Sequence, residues 1–165
     1  MGSQVSLVWR ANEAFVRSGS PSVARSPEPA RRLVVIACMD ARLDLLAALG
    51  LQVGDAHILR NAGGRVTEDV FRSLVVSTHL LGTREVAVIH HTSCGLQGVT
   101  DAEIASRTGV EGTRFLGFQD LAGSVREDVE AVRAYANLPG GVEVWGAVYD
   151  VATGALDIVA PPAEG

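Results

Sequence analysis

Two short segments of this 165-residue chain combine residue types that bind metal ions. In the first, Cys38, Asp40 and Arg42 occupy alternate positions, so an extended chain projects them to one side. In the second, His91 and Cys94 lie three residues apart. Two thiolates and one imidazole are good zinc ligands, and three protein ligands leave a fourth position open, as in catalytic sites. The pattern therefore predicts a catalytic zinc site made by Cys38, His91 and Cys94.

Each motif taken alone has a simpler interpretation. A cysteine after an apolar run, such as Cys38, more often belongs to an inert core. Asp40 and Arg42 could form an ordinary ion pair of little energetic value. Cys38 and Cys94 are the only cysteines and could pair in a disulfide or act as a metal-free redox couple, but no secretory signal is recognisable. The presence of both motifs at predicted strand ends favours the metal site.

The remaining histidines and one arginine are ambiguous. His90 points away from His91 if the segment is extended, and we expect it to be packed or hydrogen-bonded. His57 and His79 are remote in sequence, so spacing alone does not exclude them as ligands. Arg60 is expected to be a surface charge or the partner of a buried carboxylate.

The candidate ligands follow apolar runs that are typical of buried parallel strands. We predict strands over residues 33–37, 56–59 and 85–89, and a closing hairpin over residues 142–149 and 155–160. In open α/β sheets, ligands bind beyond the carboxyl ends of the strands. Both motifs begin at such ends.

Helical periodicity and capping signals predict helices over residues 4–17, 43–49, 67–81, 101–107 and 124–135. Thr67 caps one of them and Gly82 ends it, while Ser124 and Glu127 have the spacing of a capping box. A loop rich in Ser, Pro and Gly covers residues 18–29. The order of elements predicts an α/β fold, with a central, mainly parallel sheet flanked by helices and a C-terminal hairpin.

Length and charge limit the possible functions. A chain of this size is expected to form a single domain over residues 1–165, with an N-terminal helix and loop at 1–30 and a catalytic core at 31–160. The net charge is −5 and no basic stripe is present, which argues against nucleic acid and against an anionic membrane surface. No apolar run is long enough to span a bilayer, so we expect a cytoplasmic protein.

At these motifs the sequence resembles the β-class carbonic anhydrases, most closely the small bacterial type. The matching segments are residues 38–42, 60–63, 91–95 and 146–154, and the resemblance extends over residues 33–160. The two metal motifs, in this order and spacing, are highly specific. The glutamine, phenylalanine and tyrosine that plant-type members place around the substrate have no assignable match.

The resemblance implies reversible hydration of carbon dioxide to bicarbonate and a proton by a zinc-bound hydroxide. Cys38, His91 and Cys94 would bind Zn²⁺, and Asp40 and Arg42 would form the catalytic dyad. The backbone of Gly95 would donate a hydrogen bond near the substrate. The family also implies a homodimer or a dimer of dimers, in which the N-terminal helix packs on a partner subunit.

The motifs leave other functions open. A related hydrolase acting on carbon disulfide or carbonyl sulfide would use the same zinc site. A zinc-binding or thiol-sensing interaction protein would have a broken dyad, whereas Asp40 and Arg42 are both present here. The sequence also does not determine whether Asp40 or water is the fourth zinc ligand.

Overall fold

A computed structural model describes residues 4–19 and 26–163. Five helices and five strands occur among these residues: α1 (Gln4–Arg17), β1 (Leu33–Cys38), α2 (Leu45–Ala48), β2 (Ala56–Asn61), α3 (Glu68–His79), β3 (Glu85–His91), α4 (Asp101–Thr108), α5 (Leu121–Arg133), β4 (Glu143–Tyr149) and β5 (Leu156–Ala160). A 3₁₀ turn, Ala62–Gly64, follows β2. Part of the predicted loop over residues 18–29, namely 20–25, lies outside the described residues.

The strands form one sheet in the order β2-β1-β3-β4-β5. β1 pairs in parallel with β2 and with β3, and β3 pairs in parallel with β4. β5 runs antiparallel to β4. The predicted α/β architecture with a mainly parallel sheet and a C-terminal hairpin is confirmed. Because β1 and β3 are central neighbours, their carboxyl ends meet at one edge of the sheet.

Side chains of the two central strands alternate between two apolar cores, which explains why these strands are apolar throughout. On one face, Val34, Ile36 and Val88 pack with residues of α3 and α5. On the other face, Val35 and Ile89 pack in a second core that includes both cysteines. The candidate ligands therefore lie at the edge of a rigid, well-packed layer.

Several predicted boundaries differ from the structure. β1 and β3 continue to Cys38 and His91, beyond the predicted ends. Thr67 caps α3 as predicted, but that helix ends at His79. The predicted Ser124–Glu127 capping box is wrong, because α5 begins at Leu121 and Ser124 lies inside it. The Ser124 hydroxyl donates to the Leu121 carbonyl at 2.8 Å, a bond within the helix that replaces capping.

Helix α1 is formed as predicted, yet none of its residues is buried. Its large apolar side chains are exposed: Val5, Leu7, Val8, Trp9, Phe15 and Val16. Within the described part of the chain, no helix combines the length and hydropathy needed to cross a membrane.

Candidate metal centre

Three candidate ligands from two strand ends converge in one buried cluster. Cys38 is the last residue of β1, His91 is the last residue of β3, and Cys94 follows three residues later. Their ligand atoms all lie within 4.8 Å of one another, and all three residues are buried. Within residues 4–19 and 26–163, no other group of three His, Cys, Asp or Glu side chains is arranged in this way. The structure thus brings together the three residues that the motifs indicated.

A tight turn returns the chain from His91 to Cys94. Ser93 adopts a left-handed conformation with φ of 58°, which is uncommon outside glycine. Thr92 anchors the turn, since its backbone N–H donates to the Tyr149 carbonyl at 3.0 Å and its hydroxyl oxygen accepts from the Val151 N–H at 3.1 Å. These contacts allow a histidine and a cysteine three residues apart to face the same point.

The imidazole of His91 is oriented as a metal ligand requires. Its Nδ1 lies 2.9 Å from the Thr92 carbonyl, which can only accept a hydrogen bond, so Nδ1 carries the proton and Nε2 carries the lone pair. Nε2 is buried and has no hydrogen-bond partner. Burial also lowers the pKa of His91 and favours the neutral form. An unpartnered acceptor in a buried site is what coordination to a cation would satisfy.

The two thiols also fit a divalent metal ion. Burial raises the pKa of Cys94, and the proximity of Cys38 raises it further. A bound dication reverses this effect, because coordination stabilises thiolates. Two sulfurs and one imidazole nitrogen are the donor set that zinc prefers. The residues present therefore fit the metal that the motifs indicated.

Asp40 and Arg42 form a two-point ion pair beside this cluster. Arg42 Nε donates to Asp40 Oδ1 at 2.9 Å, and Nη2 donates to Oδ2 at 2.6 Å. The Arg42 side chain also donates to the Ser93 carbonyl at 3.0 Å. The hydrogen bonds from Arg42 hold the pKa of Asp40 well below its usual range. Asp40 Oδ2 lies 3.8 Å from His91 Nε2, so an ionised carboxylate borders the candidate ligands.

Arg60 is exposed, which agrees with the expected surface charge, and its guanidinium is also held by the backbone. Its guanidinium donates to three backbone carbonyls, those of Cys38 at 2.9 Å, Asp40 at 2.6 Å and Leu43 at 3.3 Å. No carboxylate takes part in these bonds. Arg60 therefore braces the segment that carries Cys38 and Asp40.

The remaining histidines are not members of the ligand cluster. His90 is fully buried, and its Nδ1 hydrogen-bonds to the Ser124 hydroxyl at 2.8 Å, which confirms that it is a packed, hydrogen-bonded residue. His57 contacts the Ser77 hydroxyl and a backbone carbonyl, and His79 contacts another backbone carbonyl. Neither belongs to the candidate ligand group.

Gly64 is a structural determinant that no motif in the sequence indicated. Its φ is 69°, and an added Cβ would lie 2.8 Å from the backbone C of Ala37 and 2.8 Å from the backbone N of Cys38. The adjacent pair Gly63-Gly64 was the only available signal. By contrast, a Cβ at Gly95 would meet nothing within 4 Å. The space beside Gly95 is open, and its role toward a substrate stays a prediction.

Comparisons with known proteins agree with this geometry. The Carbonic anhydrase family model matches residues 33–116. Beta-carbonic anhydrase 1 of Mycobacterium tuberculosis is 39% identical over 158 residues, which cover 93% of this chain and 96% of that protein. A carbon disulfide hydrolase of Acidianus sp. is 34% identical over 155 residues, covering 76% of each chain.

A solved structure is also similar to this chain over almost its whole length. A carbonic anhydrase from Streptococcus mutans superimposes with a TM-score of 0.87 at 42% sequence identity, covering 96% of this chain and 99% of that one. The matched residues 33–116 include the Cys-x-Asp-x-Arg and His-x-x-Cys motifs. The sequence, the fold and the buried cluster all lead to one family. The chain belongs to the β-carbonic anhydrases.

Proposed function

We propose that this protein catalyses the reversible hydration of carbon dioxide to bicarbonate and a proton at a zinc ion held by Cys38, His91 and Cys94. The observation that carries the proposal is the buried cluster of two thiols and an unpartnered imidazole nitrogen, bordered by an ionised aspartate. Membership of a family of lyases supports it. When bound, the metal would lower the pKa of a coordinated water and so supply a hydroxide nucleophile near neutral pH.

Asp40 is the residue that would orient the nucleophile. As an ionised carboxylate it can only accept hydrogen bonds, and its position next to His91 Nε2 places an acceptor at the edge of the cluster. A hydroxyl group that donates to Asp40 keeps its oxygen lone pairs free for the carbon atom of the substrate. Asp40 therefore selects the orientation of the nucleophile.

Arg42 would keep Asp40 ionised and fixed in that position. Its two parallel hydrogen bonds restrain both carboxylate oxygens, and its bond to the Ser93 carbonyl anchors the guanidinium to the turn before Cys94. Such two-point contacts add geometric specificity as well as energy. The open space beside Gly95 would admit the substrate, and its backbone N–H would donate to a substrate oxygen.

Stopped-flow measurement of carbon dioxide hydration tests the proposal on purified protein of known zinc content. We expect turnover that is lost on chelation and restored by zinc. Because two thiolates bring more negative charge than neutral ligands would, the rate should rise from neutral into mildly alkaline pH. A rate that is flat across this range, or unaffected by chelation, would contradict the proposal.

Hydrolysis of carbon disulfide is a second candidate, because carbon disulfide hydrolases are 33–34% identical to the chain. The reaction would consume two water molecules and release carbon dioxide and two molecules of hydrogen sulfide. The same zinc-loaded preparation, incubated with carbon disulfide, should then release sulfide. Sulfide release without carbon dioxide hydration would favour this second activity, and the converse would favour the anhydrase.

We further propose a homodimer or a dimer of dimers, in which α1 packs on a partner subunit. The exposed apolar side chains of α1 support this, because contiguous apolar surface often marks an interface. Residues 31–160 would form the catalytic core of a single domain. The cytoplasmic location stays a prediction.

A further inference from the structure

Behind the candidate metal centre lies a buried cluster of charged and polar side chains with no role in the mechanism above. Arg65, Asp128, His90 and Ser124 are each less than 5% exposed. Arg65 donates from Nε to Asp128 Oδ2 at 2.8 Å and from Nη2 to Oδ1 at 3.2 Å. The backbone N–H of Val66 donates to the same carboxylate at 3.2 Å. Asp128 thus joins α5 to the segment after the 3₁₀ turn.

His90 connects the same cluster to β3. Its Nδ1 hydrogen-bonds to Ser124 at 2.8 Å, and its Nε2 lies 3.2 Å from Asp128 Oδ2. The second contact lacks hydrogen-bond alignment. Ser124 and Asp128 lie one turn apart on α5, so one face of the helix hydrogen-bonds the ring at Nδ1 and places a carboxylate beside Nε2.

Arg65 also reaches the loop before α5. Its Nη1 donates to the Leu116 carbonyl at 2.9 Å, and Leu116 has a left-handed φ of 60°. The guanidinium carbon of Arg65 lies 5.8 Å from the centre of the Phe118 ring, which stacks on His90. A single guanidinium and a single imidazole therefore fix the position of Phe118.

Short connections lead from this cluster to the segments that carry the candidate ligands. Arg65 follows Gly64, which is packed against the backbone of Cys38. His90 immediately precedes His91 in β3. Phe118 donates its N–H to the Leu96 carbonyl at 3.1 Å, two residues after Cys94. Through these three connections, the cluster restrains the backbone of all three ligand segments.

We propose that Asp128 is a positioning residue that sets the separation of Cys38, His91 and Cys94 through Arg65 and His90. The inference rests on the proposed metal site. Buried ion clusters are often replaceable by apolar residues without loss of stability, so the reason to keep one here is geometric. Metal affinity depends on how well the ligands are held before the ion binds.

The test compares Asp128→Asn with Val132→Ala in the full-length protein. Val132 is buried on the same helix, one turn further along, and is an apolar residue of the core with no side-chain group that could join the ion pair. Zinc affinity is measured by competition with a chromophoric chelator, and the visible spectrum of the Co²⁺-loaded protein reports ligand geometry. Outer contacts of metal ligands typically change metal affinity by about tenfold or more. We expect Asp128→Asn to lower zinc affinity by about tenfold and to alter the Co²⁺ spectrum. Val132→Ala should change neither.

Each outcome has a distinct meaning. Equal zinc affinity and identical Co²⁺ spectra for both variants, in a wild-type protein that binds zinc, would overturn the positioning role but not the proposed function. A wild-type protein that binds no zinc would overturn both. If Asp128→Asn does not fold, Ser124→Ala replaces it, since this variant removes only the hydroxyl that holds His90 Nδ1. It should lower zinc affinity by a smaller factor, and an affinity equal to that of Val132→Ala would overturn the inference.

Discussion

Asp40 and Arg42 illustrate how a residue's charge state follows from its immediate partners. The pKa of Asp40 is held well below its usual range by Arg42, so this carboxylate stays ionised at neutral and alkaline pH. A rise in rate across that range must then come from a group other than Asp40. Loss of Arg42 would free the carboxylate to move, and an unrestrained Asp40 could reach the candidate metal position and block it.

We expect Arg42→Ala to reduce carbon dioxide hydration by roughly a hundredfold or more, while zinc remains bound. The matched control is Arg31→Ala, which breaks an Arg–Asp pair of similar exposure near the amino end of β1. Stopped-flow kinetics and metal analysis of both variants check the expectation. Normal turnover in Arg42→Ala would exclude the dyad role.

Cys94→Ser should lose the metal, because an alcohol is a poor ligand where zinc prefers a soft thiolate. The expected readout is less than one zinc per chain after gel filtration, with loss of activity. His79→Gln serves as control, since His79 lies outside the ligand cluster. This control should keep its zinc, and loss of metal there would show that His79 contributes to the site.

At the scale of the elements, the approach of the 3₁₀ turn to β1 depends on Gly64. We expect Gly64→Ala to lower the free energy of unfolding and weaken zinc binding, because the added Cβ overlaps the backbone of Ala37 and Cys38. Gly50→Ala is the control, since Gly50 has φ of 62° but open space around it. A left-handed alanine costs about 1–2 kcal/mol, and the overlap at Gly64 should add about 1–3 kcal/mol. Chemical unfolding measures the free energy of unfolding of both variants.

Similar unfolding free energies for the two glycine variants would show that the backbone of Cys38 can move aside. Zinc binding should remain normal in Gly50→Ala.

The attachment of α5 to the sheet should depend on pH through Asp128. Burial alone would raise the pKa of Asp128, but its contacts with His90 and Arg65 outweigh burial and hold that pKa below its usual value. The resulting stability is complete above roughly pH 3.9, the pKa of an unfolded aspartate, and is lost as pH falls through the lower folded-state value.

Asp128→Asn should therefore lower the free energy of unfolding by about 3 kcal/mol at pH 7, and the difference from wild type should shrink below about pH 4. Urea unfolding at pH 7 and pH 3, with excess chelator so that metal release does not contribute, measures both values. A difference that is unchanged at pH 3 would contradict the assignment of this carboxylate.

At the scale of the whole molecule, α1 is a helix whose large apolar side chains are exposed and of which no residue is buried. Val5, Trp9 and Val16 lie on one side of it at helical spacing and are all exposed. We expect the double variant Trp9→Glu, Val16→Glu to lower the molecular mass measured by sedimentation, since charges on that side oppose burial against a partner. Arg10→Glu, a charge change on another side of the helix, should leave the mass unchanged. Equal masses for all three proteins would exclude α1 from the interface.

Local patterns in the sequence were sufficient to predict the α/β class, the strands that lead to the site and the three candidate ligands. Apolar runs of branched residues have few alternatives to a buried strand, and zinc restricts its ligands to a few residue types. The start of α5 was not predictable in the same way. The spacing of Ser124 and Glu127 also suits a helix start. Only the structure shows that the helix begins at Leu121, so that Ser124 lies inside it and its hydroxyl bonds to the Leu121 carbonyl and to His90.

The tertiary structure alone determined which distant residues meet. Arg65 and Asp128 are separated by 63 positions, and the close approach of Gly64 to Cys38 follows from the pairing of β1 with β2. The order of strands in the sheet differs from their order in the chain, so sequence spacing does not reveal these contacts. Ligand identity is a local, chemical property of the sequence, whereas ligand separation is a property of the packed sheet and the helix behind it.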